Sequence, residues 1–196
     1  MSFSVEMGLG LAPESEQGVS SRAASRTESA TALQPGAQTL LTMPSMSTGL
    51  SHLPDAAGEN LLVVSPWAPS RVESALRDHE LPVGNCGLIP VNGSPVTYDG
   101  PLWTTDAVPP SDLTGLSMRY CEAMRHVEPG EGWVLIDNAQ VLLMYADDER
   151  VGRLLGRLTQ QAREREVTGV LAVDRGAVAM ETLARLRNLV DAVVER

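Results

Sequence analysis

Residues Trp133-Val-Leu-Ile-Asp137 place four successive apolar side chains directly before a carboxylate. An apolar run without alternation is typical of a strand that is buried on both faces, as strands of a parallel sheet are. Ligands of open parallel sheets bind beyond the carboxyl ends of the strands, which makes Asp137 a candidate site residue. A second interpretation is that Asp137 only caps the element that follows. In either case the segment predicts a central strand.

Similar apolar runs recur along the chain, separated by stretches with helical spacing. After Ser111, a predicted N-cap, the residues Leu113, Leu116 and Tyr120 follow at intervals of three or four. Alternating strands and helices are typical of a three-layer α/β/α fold with a mainly parallel sheet. The predicted strands are 39–43, 61–65, 86–91, 133–137, 168–174 and 190–195, with a short strand considered at 102–108. The predicted helices are 70–79, the one after Ser111, 147–166 and a last one that carries Val178, Leu183 and Leu186.

The first 35 residues differ in composition from the rest. They are rich in Ser, Ala, Glu and Gly, and their few large apolar side chains follow no helix or strand pattern. Such a segment buries too little apolar surface to offset its ordering entropy. We therefore predict a disordered tail over 1–35 and one domain over 36–196.

The chain contains no lysine, and its 15 arginines face 25 acidic residues, for a net charge of −10. Lysine Schiff-base chemistry and the phosphate-binding lysine of a P-loop are thereby excluded. A strongly negative surface repels phosphate backbones, so no nucleic-acid partner is expected. Acidic excess of this kind also indicates adaptation to high salt, where screening weakens the repulsion between like charges.

Cysteine and histidine patterns give no site. Cys86 and Cys121 form no C-x-x-C pair, and the three histidines are scattered, so we expect no metal and no cofactor. The sequence has no apolar run long enough for a membrane span and no secretory leader pattern. A cytoplasmic location without membrane contact is the expectation.

A phosphate-loop pattern fits residues 44–51, PSMSTGLS, in part. In the motif GxxxxGK(S/T), Gly49 and Ser51 match, whereas Pro44 replaces the first glycine and Leu50 replaces the lysine. The loop follows the first predicted strand, which is the position of such a loop in phosphate-binding folds. We therefore predict a remnant nucleotide site made of Gly49, Ser51 and Asp137.

Over residues 36–196 the chain resembles the RecA/KaiC-like ATPase family. The first strand, the altered loop and the Asp137 strand carry this resemblance. More closely it resembles an uncharacterised haloarchaeal branch of that family with a degenerate P-loop. The segments 110–117 (PSDLTGLS), 145–151 (YADDERV) and 189–194 (LVDAVV) carry this closer resemblance.

The resemblance implies a RecA-like domain, and the departures from it imply loss of turnover. Active members place a catalytic glutamate after the second strand, where this chain has Ser65-Pro66-Trp67. With the lysine also missing, no catalytic residue is assigned. The first hypothesis is a non-catalytic regulatory or protein-interaction domain that binds a protein partner or self-associates. The alternatives are a nucleotide-sensing domain without hydrolysis and a magnesium-dependent phosphohydrolase that uses Asp137 and Asp174.

Two further expectations concern side chains. If the loop no longer holds phosphate, Leu50 should turn toward apolar neighbours, and Met43, Met46 or Trp67 should fill part of the vacated space. Arg150, Arg153 and Arg157 share one side of the long helix. They are interpreted as a solvated, locally paired face, as a surface that binds a partner, or as an arginine finger.

Overall fold

Seven strands form one parallel sheet in the computed structural model, which describes residues 36–95 and 97–196. The order of the strands is β4-β3-β2-β5-β6-β1-β7, and each pairing is parallel. All six predicted strands belong to this sheet, and the short strand considered at 102–108 is a two-residue edge strand. The predicted tail 1–35 lies outside the described residues. The strands are β1 (Gln38–Met43), β2 (Leu61–Ser65), β3 (Cys86–Pro90), β4 (Trp103–Thr104), β5 (Trp133–Ile136), β6 (Thr168–Asp174) and β7 (Ala192–Glu195).

Strand β5 is central, as its sequence predicts. It pairs with β2 on one side and β6 on the other, so that Leu135 lies between Val63 and Val170. Leu135 belongs to the core on one face of the sheet, while Val134 and Ile136 belong to the core on the opposite face. A strand covered on both faces can contain an unbroken apolar run because neither set of side chains meets water.

The five α-helices of the described residues cover the sheet unequally. Four of them, α2 to α5, contribute to the core on one face, whereas in the described residues α1, short 3-10 turns and loop side chains cover the other. In the described part of the chain, no helix has both the length and the apolar character needed to cross a membrane. The helices are α1 (Pro69–Asp78), α2 (Leu113–Ala123), α3 (Gln140–Tyr145), α4 (Asp148–Glu164) and α5 (Met180–Arg187).

One helix cap differs from the prediction, and one helix is additional to it. Helix α2 is capped by Asp112, whose carboxylate accepts from the amide of Gly115 at 2.8 Å, and not by Ser111. The reason is a turn in which the Asp112 amide donates to the carbonyl of Pro109, so that Ser111 lies inside the turn. Before α4, the chain forms the separate short helix α3, which the sequence pattern did not indicate.

Packing of α4 on the sheet generates a stability prediction. Leu155 is fully buried in the larger core, while Met144 at the end of α3 is 75% exposed. We expect Leu155→Ala to lower the free energy of unfolding by about 2 to 5 kcal/mol, because it removes buried contacts and leaves a cavity. The control Met144→Ala should change it by less than about 0.5 kcal/mol. Urea denaturation measures both, and equal effects would contradict the assigned packing.

Candidate functional site

The candidate site lies at the carboxyl edge of the sheet, where β5 ends. Asp137 follows β5 directly and is only 2% exposed. Ser65 ends the neighbouring strand β2. The loop after β1 also reaches this point, although β1 is separated from β5 by β6. It does so by passing close over the sheet: a Cβ atom on Gly49 would stand 2.7 Å from a methyl group of Leu135 and 3.0 Å from Cβ of Ala172.

Three donors converge on the Asp137 carboxylate. Its Oδ1 accepts from the amide of Gly49 at 2.8 Å. Its Oδ2 accepts from the hydroxyls of Thr48 at 3.1 Å and Ser65 at 3.2 Å. We call Asp137, Thr48, Gly49 and Ser65 the Asp137 cluster. Both carboxylate oxygens are therefore engaged by the protein itself.

Burial dominates the electrostatics of this cluster. It raises the pKa of Asp137, since a charged carboxylate loses its hydration there. The hydrogen bonds from Gly49, Thr48 and Ser65, together with the adjacent Asn138 side chain, act in the opposite direction and lower this pKa in part. None of the hydrogen bonds that described residues donate to this carboxylate comes from an arginine. Asp137 is thus held by neutral dipoles rather than by a cation.

The loop after β1 uses its polar groups internally. Its first turn is closed by the amide of Ser47, which donates to the carbonyl of Pro44 at 3.3 Å. The single 3-10 turn Gly49–His52 follows, capped by Thr48, whose hydroxyl accepts from the Leu50 amide. The Ser51 hydroxyl donates to the carbonyl of Thr48 at 2.8 Å. A phosphate-binding loop instead presents free amides at the start of an α-helix.

The side chain of Leu50 is buried in the core of the thinner face, as predicted. Met43 is buried in the same core and Trp67 packs against it in part, but Met46 is 84% exposed. The expectation that Met46 fills the site is therefore wrong. Met46 lies in an exposed turn and has a positive φ of 66°.

A chain of amides links the cluster to the end of β6. Asn138, at a left-handed φ of 52°, donates from Nδ2 to the carbonyl of Ser47 at 3.3 Å. Its Oδ1 accepts from Nε2 of Gln140, whose Oε1 accepts from the amide of Asp174. Sequence reasoning missed the roles of Thr48, Asn138 and Gln140. Asn directly after a strand-ending Asp was the available signal, because Asn tolerates left-handed backbone.

Asp174 has a separate set of contacts. It ends β6 opposite Met43, and its carboxylate accepts from the amide of Gly176 at 2.7 Å. It thereby caps the turn Arg175–Ala177. Within residues 36–95 and 97–196, no group of three or more His, Cys, Asp or Glu side chains is placed to hold a metal ion.

Cysteines and histidines lie outside the Asp137 cluster. Cys86 is at the opposite, amino end of β3, and burial raises its thiol pKa to about 12, which leaves it unreactive. Cys121 is exposed on α2, and both thiols are free. His126 packs its ring against Trp103 with the ring centroids 5.7 Å apart.

Comparison with protein families identifies the chain. A sequence model of the family described as "Family of unknown function (DUF7504)" matches residues 15–196. The chain belongs to this family. No curated protein matches it.

Solved structures that resemble this family member include a KaiC-like protein from the hyperthermophilic archaeon Pyrococcus horikoshii OT3. The likeness has a TM-score of 0.51 and covers 83% of this chain and 73% of that one. At 14% sequence identity it shows the fold, which is the RecA-like α/β/α fold of the KaiC-like protein.

Removal of the Asp137 carboxylate tests its structural role. We expect Asp137→Ala to lower the free energy of unfolding by at least about 2 kcal/mol, because the Gly49 amide and two hydroxyls lose their acceptor in a buried place. Asp137→Asn should cost about 1 kcal/mol, since its carbonyl oxygen still serves Gly49 and the hydroxyls can accept from its amide. Denaturant unfolding measures both variants. An alanine variant as stable as the wild type would show that the cluster does not stabilise the fold.

The pH dependence of stability follows from the raised pKa of Asp137. Because this pKa lies above the ordinary value of 3.8, the folded protein binds the proton more tightly than the unfolded chain does. The resulting stabilisation is complete below 3.8 and is lost as pH rises through the folded pKa. Relative to Asp137→Asn, which cannot titrate here, the wild type should therefore lose stability across that interval. If the wild type instead gained stability relative to Asp137→Asn as pH rises, the pKa of Asp137 would have to be lowered in the folded protein.

Proposed function

We propose that this chain is a non-catalytic RecA/KaiC-like domain with a degenerate P-loop, which acts in regulation by binding a protein partner or by self-association. The main support for this proposal is the 2.8 Å hydrogen bond between the Gly49 amide and the Asp137 carboxylate. These are the groups expected to hold phosphate and magnesium in an active relative. In this chain the Gly49 amide and the Asp137 carboxylate are hydrogen-bonded to each other.

Other features support loss of turnover. Phosphoryl transfer depends on positioned cations and on a group that orients the attacking nucleophile. At the lysine position the chain has Leu50, buried among apolar side chains, and after β2 it has Pro66 and Trp67 instead of a glutamate. Arg71 stacks on the Trp67 ring, with its guanidinium carbon 3.8 Å from the ring centroid. The Arg71 cation is therefore already engaged in a cation–π contact.

Both alternatives require rearrangement of the site. A nucleotide-sensing domain needs the Gly49 amide to leave Asp137 and face a phosphate, which exposes a buried carboxylate. A phosphohydrolase needs Asp137 and Asp174 to share one metal ion, yet each accepts hydrogen bonds from a different backbone segment. The acidic, lysine-free composition supports, within the same proposal, a haloarchaeal, salt-adapted cytoplasmic protein.

Titration with Mg-ATP tests the proposal directly. We expect no heat of binding by calorimetry and no phosphate release, at low and at high salt, because the phosphate-facing amides are bonded within the protein. An active ATPase in the same buffers serves as the control. Binding without hydrolysis would support nucleotide sensing instead, and magnesium-dependent turnover would refute the non-catalytic assignment.

Restoration of the lysine gives a second test. Leu50→Lys should show no turnover, since its amine would enter an apolar core and the Gly49–Asp137 bond would remain. Burial of the amine should also destabilise the fold, whereas Leu50→Met should cost less than about 1.5 kcal/mol. Phosphate release and denaturant unfolding, measured on both variants, separate loss of folding from loss of activity. Turnover by Leu50→Lys would mean that only one residue was missing.

A further inference from the structure

Helices α2 and α4 leave a surface groove between them, on the face of the sheet that carries most of the helices. The groove has a volume of about 240 Å³ and is bordered by arginines from α4 and by hydroxyls and a methionine from α2. Beyond the methionine it continues into a shallower hollow beside Arg125. We call this surface the arginine groove and define it by Thr114, Ser117, Met118, Arg150, Arg153 and Arg157, with Arg125 at its end.

Most of the other arginines that the structure describes pair with a carboxylate. Arg77 contacts Glu73, Arg163 contacts Asp191 and Arg187 contacts Glu195. Acidic residues outnumber basic ones in this chain, so carboxylates for such pairs are plentiful. Paired arginines are therefore the ordinary condition of this surface.

The arginine groove departs from this condition. Side chains of Arg125, Arg150 and Arg157 make no hydrogen bond or ion pair with any residue that the structure describes, and all three are exposed. Arg153 pairs with Glu149 one turn earlier on α4. The interpretation of the arginine stripe as a locally paired face thus holds for Arg153 alone. Their spacing of three and four residues keeps Arg150, Arg153 and Arg157 on one side of the helix.

Met118 adds an apolar contact to this charged surface. Its side chain is 68% exposed on α2 and borders both the groove and the hollow beyond it. Thr114 and Ser117 add hydroxyls that can donate or accept. Arginine and methionine are both enriched in protein interfaces. A surface with several guanidinium groups around one apolar side chain fits an occupant with several carboxylates around one apolar residue.

We propose that the arginine groove is the docking site for an acidic segment of a separate protein partner. Carboxylates of that segment pair with Arg150 and Arg157, a further one reaches Arg125, and an apolar side chain packs on Met118. A planar guanidinium binds a carboxylate through two parallel hydrogen bonds, which fixes orientation as well as charge. The inference rests on the proposed function, since it names the surface through which the non-catalytic domain binds its partner.

Nucleic acid fits this groove less well than an acidic peptide does. The chain as a whole carries a net charge of −10, which repels an extended polyanion along most of its surface. A short acidic segment meets only the groove, where four arginines outnumber the two neighbouring carboxylates of Glu122 and Glu149.

Fluorescence anisotropy with defined probes tests the docking site. The probe is a labelled peptide in which glutamates surround a central leucine, and the comparison probes are the same peptide with glutamines and a single-stranded DNA oligonucleotide. We expect the wild type to bind the glutamate peptide, more weakly as salt is raised, and to bind neither comparison probe measurably. The double variant Arg150→Gln/Arg157→Gln should weaken binding at least about tenfold, because two charge-assisted contacts are lost.

A control variant removes the same number of positive charges at a site away from the groove. Arg77→Gln/Arg185→Gln removes two exposed arginines that pair within α1 and α5, and should leave the peptide affinity within about twofold of the wild type. Met118→Gln should weaken binding without a change in net charge. Unfolding midpoints of all variants, measured in parallel, confirm that the exposed substitutions leave the fold intact.

The remaining outcomes each overturn the inference. They are absence of peptide binding, equal loss in the control variant, binding of DNA that depends on Arg150 and Arg157, and self-association that the groove variant abolishes. None of them bears on the Mg-ATP titration, so failure of the docking site and failure of the non-catalytic assignment are separable. Mg-ATP turnover would refute the proposed function whatever the peptide result.

Discussion

The position of one buried carboxylate organises the carboxyl edge of this sheet. A carboxylate withdrawn from water costs several kcal/mol unless donors replace its hydration. Around Asp137 the replacement comes from β2, through Ser65, and from the loop after β1, through Thr48 and Gly49. That loop must cross β6 to reach it, which is why Gly49 lies so close to the sheet that a Cβ atom would clash. The hydrogen bonds and the close approach therefore depend on each other.

Closure of the loop also explains the unequal faces of the fold. After Gly49 the chain forms two 3-10 turns, Gly49–His52 and Asp55–Glu59, before β2 begins. Leu50 and Leu53 in this segment enter the core that α1 shares, and so cover strands that α1 alone leaves open. The residues that a phosphate site would present to solvent serve here as part of the hydrophobic core. The packing of Leu50 and the hydrogen bond from Gly49 to Asp137 thus belong to the same turn.

Most of the fold could be predicted from local pattern, and most of the site could not. Apolar runs located the strands because burial on both faces leaves a signature within a few residues. The bond between Gly49 and Asp137 joins positions 88 residues apart, and no local pattern records it. Helix α3 was missed because it begins just after the left-handed Asn138, without a side-chain cap. Burial of Leu50 was predictable, because an apolar side chain at this position is stabilised when it is removed from water.

The arginines without described partners are relevant because the Asp137 cluster is already hydrogen-bonded within the protein. If the carboxyl edge is sealed by its own hydrogen bonds, interaction with other molecules must use a different surface. The arginine groove lies between α2 and α4, over the more thickly covered face of the sheet, and shares no residue with the loop 44–51. The groove is therefore separate from the Asp137 cluster. A protein with excess carboxylates that leaves Arg125, Arg150 and Arg157 without described partners retains positive charge where an anionic side chain of another protein can reach it.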